Sequence, residues 1–251
     1  MKLAAALCRA GDRIVSFIAA VVIFTSLAFG GYSLWDMWST AHGAFIGGEL
    51  LKYKPGTVEE DPEALSLWDL YELNPDVCGW LTVPDTHIDY PVVRGENDSI
   101  YLNMDVFGDF SLAGSIFMSC ENAADFSDAY TVLYGHHITG GAMFADVIEF
   151  QNTAYFESHP TGELILLNGR YTLEFFACAP ADAYDRVLYR DLTAYNDSEN
   201  GVAELLAYIR DIAVQYRDIG LTGDDRIVAM STCTSAATNG RIILFGRLAA
   251  A

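Results

Sequence analysis

The feature that most constrains the fold of this chain is a series of short apolar runs, rich in β-branched and aromatic residues and separated by turn-forming residues. Runs of this kind are typical of buried β-strands. Asn168-Gly169 gives the strongest turn signal, because an Asn-Gly pair between two apolar runs favours a tight hairpin. Many short strands predict a mainly β fold that closes, or nearly closes, into a barrel. The predicted strands are residues 79–83, 87–93, 114–119, 131–134, 164–167, 171–178, 227–230 and 242–245.

Two segments break this strand pattern and predict helices. In residues 198–216 the apolar side chains fall at helical spacing on one face, which predicts one long helix inserted between two strands. Residues 62–73 carry a partial apolar face and are followed by Asn74-Pro75, which predicts a helix that ends before the first strand.

The N-terminal part of the chain carries an uncharged, mostly apolar stretch at residues 14–35. As a helix with a rise of about 1.5 Å per residue it spans about 33 Å, enough to cross the hydrocarbon core of a bilayer. The flank before it has three basic residues against one acidic residue, and the positive-inside rule places such a flank in the cytoplasm. A small-x-small site at residues 26–28 leaves a cleaved signal peptide as the alternative. The apolar run continues past that site, which favours a retained anchor.

The composition fits one domain behind this anchor. The chain has 251 residues, of which 52% are hydrophobic, so a sizeable core can form. The expected organisation is a cytoplasmic flank at residues 1–13, a transmembrane anchor at 14–35, a linker at 36–57 and an extracellular domain at 58–251. A formal net charge of −20 argues against non-specific binding to nucleic acid.

Cysteine usage argues against a metal site and against a dense disulfide framework. The number of cysteines is odd, and no two are spaced as in a C-x-x-C motif. There is no calcium-loop motif either, so we expect no metal and no other cofactor. One disulfide among Cys78, Cys120 and Cys178 is an open alternative to buried free thiols, which we favour. The five cysteines are Cys8, Cys78, Cys120, Cys178 and Cys233.

The last two predicted strands flank a polar loop that begins after Cys233 and ends before Arg241. If these strands pair antiparallel, the thiol and the guanidinium face each other across the mouth of the loop. A fixed cation favours the thiolate form of a nearby cysteine, and an arginine also offers donors to a developing oxyanion. Seven residues separate the two, and strands lie on both sides, which argues against a phosphatase-type phosphate loop.

A proton donor for this pair is available at the end of an earlier strand. Residues 130–138 read YTVLYGHHI, where Gly135 breaks the strand and His136 follows it. A Cys, a His and an Arg at strand ends can serve as nucleophile, acid/base and oxyanion stabiliser. His137 is a lesser alternative, because neighbours on an extended segment point to opposite faces. Each of these residues alone is more often structural, and their combination favours function.

Several stretches together resemble class B sortases, which are membrane-anchored cysteine transpeptidases of Gram-positive bacteria. STCTSAATNGRIILFGRL resembles the active-site strand pair of sortases, and LYGHH resembles their catalytic-histidine segment. NPDVCGWLTVPDTHIDYPVVRGENDSIYL and the GSIFM that follows resemble class B in particular. The resemblance runs from about Leu73 to Leu248. It departs from the family at Met230, where Leu is frequent, and in residues 234–240, which lack the acidic residues common there.

The resemblance implies a fold and a set of roles. The fold is a sortase-type closed β-barrel of about eight strands, with an N-terminal helix and one long inserted helix, preceded by the transmembrane helix. Cys233 would be the nucleophile, His136 the acid/base, and Arg241 the clamp for the oxyanion and the substrate.

Four further residues are candidate substrate contacts. Ser231 and Thr232 precede the nucleophile and carry hydroxyls, although strand propensity explains Thr232 equally well. Tyr184 and Tyr189 lie before the long helix, where class B sortases line the substrate groove.

The implied reaction is cleavage of an NPxT(G/N)-like sorting signal after Thr and transfer of the acyl group to a peptidoglycan amine. The expected partners are therefore signal-bearing surface proteins, a cross-bridge or precursor amine, and the membrane, with no nucleic acid. A pilus-type sortase with a lysine acceptor is one alternative. Asp61-Pro62 is followed by Glu63 instead of an aromatic residue, and the sequence stops three residues after Leu248, which both favour wall anchoring. An anchored β-barrel binding protein without catalysis is the other alternative.

Overall fold

The computed structural model describes residues 2–44, 48–56, 65–138, 140–197, 201–234 and 239–251. The chain divides into two compact units, the first ending at His42 and the second spanning Gly43–Ala251. The helices of the described residues are α1 (Lys2–Ala44), α2 (Gly48–Leu51), α3 (Leu67–Leu73), α4 (Thr153–Ser158), α5 (Arg186–Tyr189), α6 (Ala194–Asp197) and α7 (Gly201–Ile212), with 3-10 turns at Ile100–Leu102 and Ala145–Gln151.

The first unit consists of helix α1 without its last two residues. Within the described ranges, Gly11–Trp35 is the one segment long and apolar enough to cross a membrane. Phe17, Phe24 and Phe29 are 71%, 74% and 73% exposed, which suits contact with lipid. The helix continues to Ala44, whereas the sequence predicts a mixed linker from residue 36. Residues 36–42 contain neither Pro nor Gly, so nothing in them ends the helix.

The second unit is a closed barrel. Its described strands are β1 (Val77–Thr82), β2 (Asp89–Val93), β3 (Ile116–Met118), β4 (Tyr130–Tyr134), β5 (Thr161–Leu166), β6 (Gly169–Asp182), β7 (Gln215–Tyr216), β8 (Ile227–Cys233) and β9 (Gly240–Ala250). They are hydrogen-bonded in the order β5-β1-β2-β3-β4-β8-β9-β6-β7, and β5 also pairs with β6. That last pairing closes eight strands into a ring and leaves β7 attached to the edge of β6. The predicted barrel of about eight strands is therefore confirmed.

The strand pairings explain how the barrel closes. The hairpin predicted at Asn168-Gly169 is confirmed, because β5 and β6 pair antiparallel from Thr161↔Glu174 to Leu166↔Gly169. Two parallel pairings, β2–β3 and β4–β8, occur where the chain crosses between strands that are not joined by a tight turn. The largest cluster of buried apolar side chains draws on all eight strands of the ring, so it fills the barrel.

Helix α7 covers a second apolar cluster with its buried residues Val202, Leu205 and Ile209. The helix predicted at residues 198–216 is wrong at its C-terminal end, because Gln215–Tyr216 form β7 and pair with Cys178 and Ala177 of β6. The edge of β6 offers backbone hydrogen bonds there, and this long-range pairing overrides the helical spacing of the side chains. Residues 198–200 lie outside the described residues.

Helix α3 begins at Leu67, later than the predicted start at residue 62. The hydroxyl of Ser66 accepts from the backbone of Asp69, and the Asp69 carboxylate accepts from the Ser66 backbone at 2.7 Å. This capping box fixes where the helix starts. Residues 62–64 of the predicted segment lie outside the described residues. A third apolar cluster lies between α3, α2 and the barrel.

Candidate active site

Strands β8 and β9 bring Cys233 and Arg241 together. The two strands pair antiparallel, and Cys233 lies directly opposite Arg241 in the register. Beyond the pair, the backbone of Thr234 donates to the carbonyl of Gly240 at 3.0 Å and closes the mouth of the loop. The antiparallel pairing predicted for these two strands is therefore confirmed, and it places Cys233 beside Arg241 at the mouth of the loop. Residues 235–238 of the loop lie outside the described residues.

The pairing of β4 with β8 places His136 at the same edge of the barrel. These strands run parallel with Tyr134 opposite Ser231, so the residues that follow each strand emerge side by side. The backbone of Gly135 donates to the Ser231 carbonyl at 3.2 Å, and the hydroxyl of Thr232 donates to the Gly135 carbonyl at 2.9 Å. The segment that carries the histidine is therefore tied on both sides to the strand that carries the cysteine.

Gly135 allows this close approach. A Cβ at this position would lie 2.5 Å from the Ile116 side chain and 2.6 Å from the Phe144 ring. A larger residue would push the chain away from the barrel just before His136, so the strand break read from the sequence is also a packing requirement.

The two adjacent histidines have different surroundings. The Nε2 atom of His136 lies 2.9 Å from the carbonyl oxygen of Leu102, and the residue is half-buried. His137 is exposed and forms a backbone bridge to Met143. His136 is thus the histidine that points into the site.

The candidate catalytic residues line one cavity of about 200 Å³. Cys233, His136 and Arg241 all line it, as do Ser231 and Thr232. The hydroxyl of Thr232 is engaged with the backbone of the histidine segment, as described above, and that of Ser231 lies 2.7 Å from the Tyr189 hydroxyl. Both hydroxyls therefore have structural partners at the edge of the cavity.

Aromatic rings form one side of the site. The Phe117 and Tyr134 rings lie 5.3 Å apart, and the Tyr134 and Tyr189 rings stack at 6.2 Å. Burial raises the pKa of Tyr189 to about 12, although its bond to Ser231 and the nearby Arg241 act in the opposite direction. The phenol is therefore a neutral hydrogen-bonding group at physiological pH. Tyr184, by contrast, is 76% exposed.

Sequence reasoning did not single out four residues that line this cavity, namely Asp98, Leu102, Phe117 and Tyr134. The Asp98 carboxylate accepts from the backbone of Cys120 at 2.7 Å, which holds it near the aromatic side of the site. Burial and this carboxylate both raise the pKa of Tyr134. All four residues lie inside or beside the stretches that resemble class B sortases, and that is the one signal by which they could have been found.

This arrangement can perform acyl transfer. A thiol can attack a carbonyl carbon, an imidazole can move a proton, and a guanidinium can stabilise the oxyanion that develops.

Comparison with known proteins agrees with the fold. No protein-family model matches the sequence. Sortase B of Listeria monocytogenes is 31% identical over 184 residues, which cover 72% of this chain and 73% of that protein. A class B sortase of Streptococcus pyogenes involved in pilus biogenesis is 39% identical, with a TM-score of 0.65 over 72% of this chain and 96% of that one. The substrate complex of Staphylococcus aureus sortase B is 27% identical, with a TM-score of 0.67 over 73% and 84% of the two chains.

The closed barrel and the cavity at the ends of β4 and β8 define a sortase-type protein. The identity to the Listeria protein and the extent of the match then show that this chain belongs to the class B sortases. The resemblance noted in the sequence is confirmed.

Proposed function

We propose that this chain is a cysteine transpeptidase that cleaves a sorting signal and transfers the acyl group to an amine. The observation that carries the proposal is that Cys233, His136 and Arg241, which come from three different strand ends, line one cavity. Residues that are far apart in the sequence and converge on one cavity with complementary chemistry are typical of an active site.

The proposed reaction has two stages. In the first, the sulfur of Cys233 bonds to the Thr carbonyl carbon of the signal as its proton passes to His136. The amide bond to the next residue then breaks as His136 delivers that proton to the departing nitrogen. In the second, an acceptor amine attacks the thioacyl carbon and gives its extra proton to His136. The sulfur then leaves and takes that proton back, which restores the Cys233 thiol and the neutral His136. Arg241 donates hydrogen bonds to the carbonyl oxygen while it carries negative charge.

For the signal we propose an NPxT(G/N)-like motif, and for the acceptor a peptidoglycan cross-bridge or precursor amine. The product is then a surface protein joined to the cell wall. Helix α1 supports a membrane location, because an anchored enzyme meets a secreted substrate and a wall precursor at one face of the membrane. We propose that the N-terminus is cytoplasmic and the barrel extracellular.

A pilus-type reaction, in which a lysine of another subunit is the acceptor, is the second candidate. The Streptococcus pyogenes class B sortase that is 39% identical to this chain is involved in pilus biogenesis, and this similarity favours the candidate. The two functions share the first stage and differ in the amine that resolves the thioacyl intermediate.

A competition experiment separates these functions. The full-length chain in detergent micelles is incubated with NPxTG-, NPxTN- and LPxTG-type peptides, in the presence of both a cross-bridge peptide and a lysine-bearing peptide. We expect cleavage after Thr in the NPxT peptides and ligation to the cross-bridge amine, read by mass spectrometry. Preferential ligation to lysine would support the pilus-type reaction. Absence of cleavage in every peptide, by a chain whose Cys233 still alkylates, would contradict the proposed signal.

A further inference from the structure

A backbone carbonyl determines which ring nitrogen of His136 carries the proton in the neutral form. Nε2 lies 2.9 Å from the carbonyl oxygen of Leu102. A carbonyl oxygen can only accept a hydrogen bond, so Nε2 must carry the proton of this pair. In the neutral ring the other nitrogen, Nδ1, is then unprotonated and is available as a base.

The carbonyl of Leu102 belongs to a segment that is held firmly. It ends the 3-10 turn Ile100–Leu102, whose middle residue Tyr101 is 3% exposed. The Tyr101 hydroxyl donates to Asp76 at 2.8 Å and accepts from the Asn74 amide at 2.9 Å. With its ring buried and its hydroxyl bonded twice, Tyr101 fixes the turn to the body of the barrel.

Gly114 provides the space in which this turn lies. Its φ is +61°, and a Cβ on it would lie 2.6 Å from the Leu102 carbonyl oxygen and 2.5 Å from that of Tyr101. Both of these atoms belong to the backbone, so they cannot rotate out of the way as a side chain would. The next residue, Ser115, donates its backbone N–H to the Tyr101 carbonyl at 3.0 Å and holds Gly114 against the turn.

We propose that Gly114 and the Leu102 carbonyl position the ring of His136, holding it as the Nε2–H tautomer and leaving proton transfer to Nδ1. Gly114 is a positioning residue, since it acts through the carbonyl and not on the substrate. Its place in the GSIFM stretch gives that stretch a role beyond strand formation.

The chemical part of this inference rests on the proposed function. As the sulfur of Cys233 bonds to the substrate carbonyl carbon, the Sγ proton passes to Nδ1 of His136. The same proton then passes from Nδ1 to the departing amine nitrogen. Nε2 keeps its proton and its bond to Leu102 throughout, so the carbonyl also stabilises the imidazolium that forms between the two transfers.

Nitrogen-15 NMR of the histidine rings tests the tautomer directly. The full-length chain is labelled at its histidine rings in detergent micelles, and the His136 signals are assigned by their loss in a His136→Gln variant. At a pH where the ring is neutral, we expect the chemical shift of a protonated nitrogen at Nε2 and of an unprotonated one at Nδ1. The opposite tautomer, or the rapid mixture seen in free imidazole, would overturn the inference.

The role of Gly114 is tested by Gly114→Ala with a matched control. Gly108 lies in the same connection, has a φ of +87°, and a Cβ on it would meet nothing within 4 Å. Gly108→Ala therefore introduces comparable backbone strain without touching Leu102.

We expect Gly114→Ala to lower kcat by about 10–100-fold with a small change in KM, and to weaken the tautomer preference of His136. Gly108→Ala should leave both kcat and the tautomer preference of His136 unchanged. A folded Gly114→Ala variant, judged by its thermal melt, whose kcat equals that of Gly108→Ala would contradict the positioning role.

These measurements keep the inference separate from the proposed function. An Nε2–H tautomer in a chain that forms no acyl adduct supports the positioning of His136 and contradicts the transpeptidase. An acyl adduct in a chain whose His136 is the Nδ1–H tautomer supports the transpeptidase and contradicts the proposed positioning of His136.

Discussion

At the residue scale, the four cysteines whose side chains are described differ in the surroundings of the sulfur. All four are free thiols. Burial raises the pKa of Cys78 and of Cys178 to about 12, so both stay protonated at neutral pH. Burial, followed by the Asp98 carboxylate, also raises the pKa of Cys120. Cys233 instead lines the cavity and lies opposite Arg241 in the strand register, so it is the described cysteine that we propose as the nucleophile.

Replacing Arg241 by lysine should separate charge from geometry at this site. Lysine keeps the positive charge, but it loses the planar set of donors that can hold an oxyanion and a peptide carbonyl together. We expect Arg241→Lys to lower kcat/KM by about 100-fold, measured as the initial rate of peptide cleavage.

Arg247→Lys on the same strand is the matched control. Arg247 pairs with Glu174 at the surface, away from the cavity, and its replacement should leave kcat/KM within about twofold. An Arg241→Lys variant that is as active as this control would show that the guanidinium geometry is not used in the reaction.

Sequence patterns could locate Cys233, His136 and Arg241, because each stands where an apolar run meets a polar loop. The same patterns could not locate Asp98 or Leu102. These residues reach the cavity through the parallel pairing of β2 with β3 and through an irregular connection, neither of which leaves a periodic signal in the sequence.

At the element scale, helix α7 contributes stability by covering the barrel. Leu205 is fully buried in the cluster that joins this helix to β4, β6, β8 and β9. We expect Leu205→Ala to lower the free energy of unfolding by about 2–5 kcal/mol, because the cavity left behind cannot be refilled by neighbouring strands. Chemical denaturation of the full-length chain measures the change.

The exposed neighbour Glu204 provides the comparison for this helix. Glu204→Ala should change the unfolding free energy by no more than about 0.5 kcal/mol. Equal effects of the two substitutions would mean that α7 is not packed through Leu205.

Elements with a strong local signal were predictable, and those made by distant contacts were not. The β5–β6 hairpin follows from Asn168-Gly169 alone, since the turn fixes its register. Gln215–Tyr216 continue the helical spacing of α7 but form β7, because the edge of β6 is within reach. The start of α3 depends on a capping box at Ser66, whereas the predicted helix began before Ser66.

At the scale of the whole molecule, one apolar helix precedes a barrel whose ring is closed within the described residues. We expect the helix to span the membrane with the barrel outside. In variants that retain either Cys8 or Cys233 as the sole cysteine, a membrane-impermeant maleimide applied to intact cells should label the Cys233 variant alone. Labelling of the Cys8 variant in intact cells, before any permeabilisation, would reverse the proposed orientation.

The most direct test of the central claim is the intact mass of the full-length chain after incubation with an NPxT-type peptide and no acceptor amine. We predict an increase equal to the acyl part of the peptide ending in Thr, present in the unmodified chain and in Cys120→Ala, and absent in Cys233→Ala. An adduct that persists in Cys233→Ala, or a Cys233 that alkylates readily yet forms no adduct with any sorting-signal peptide, would contradict the account of this barrel as a cysteine transpeptidase.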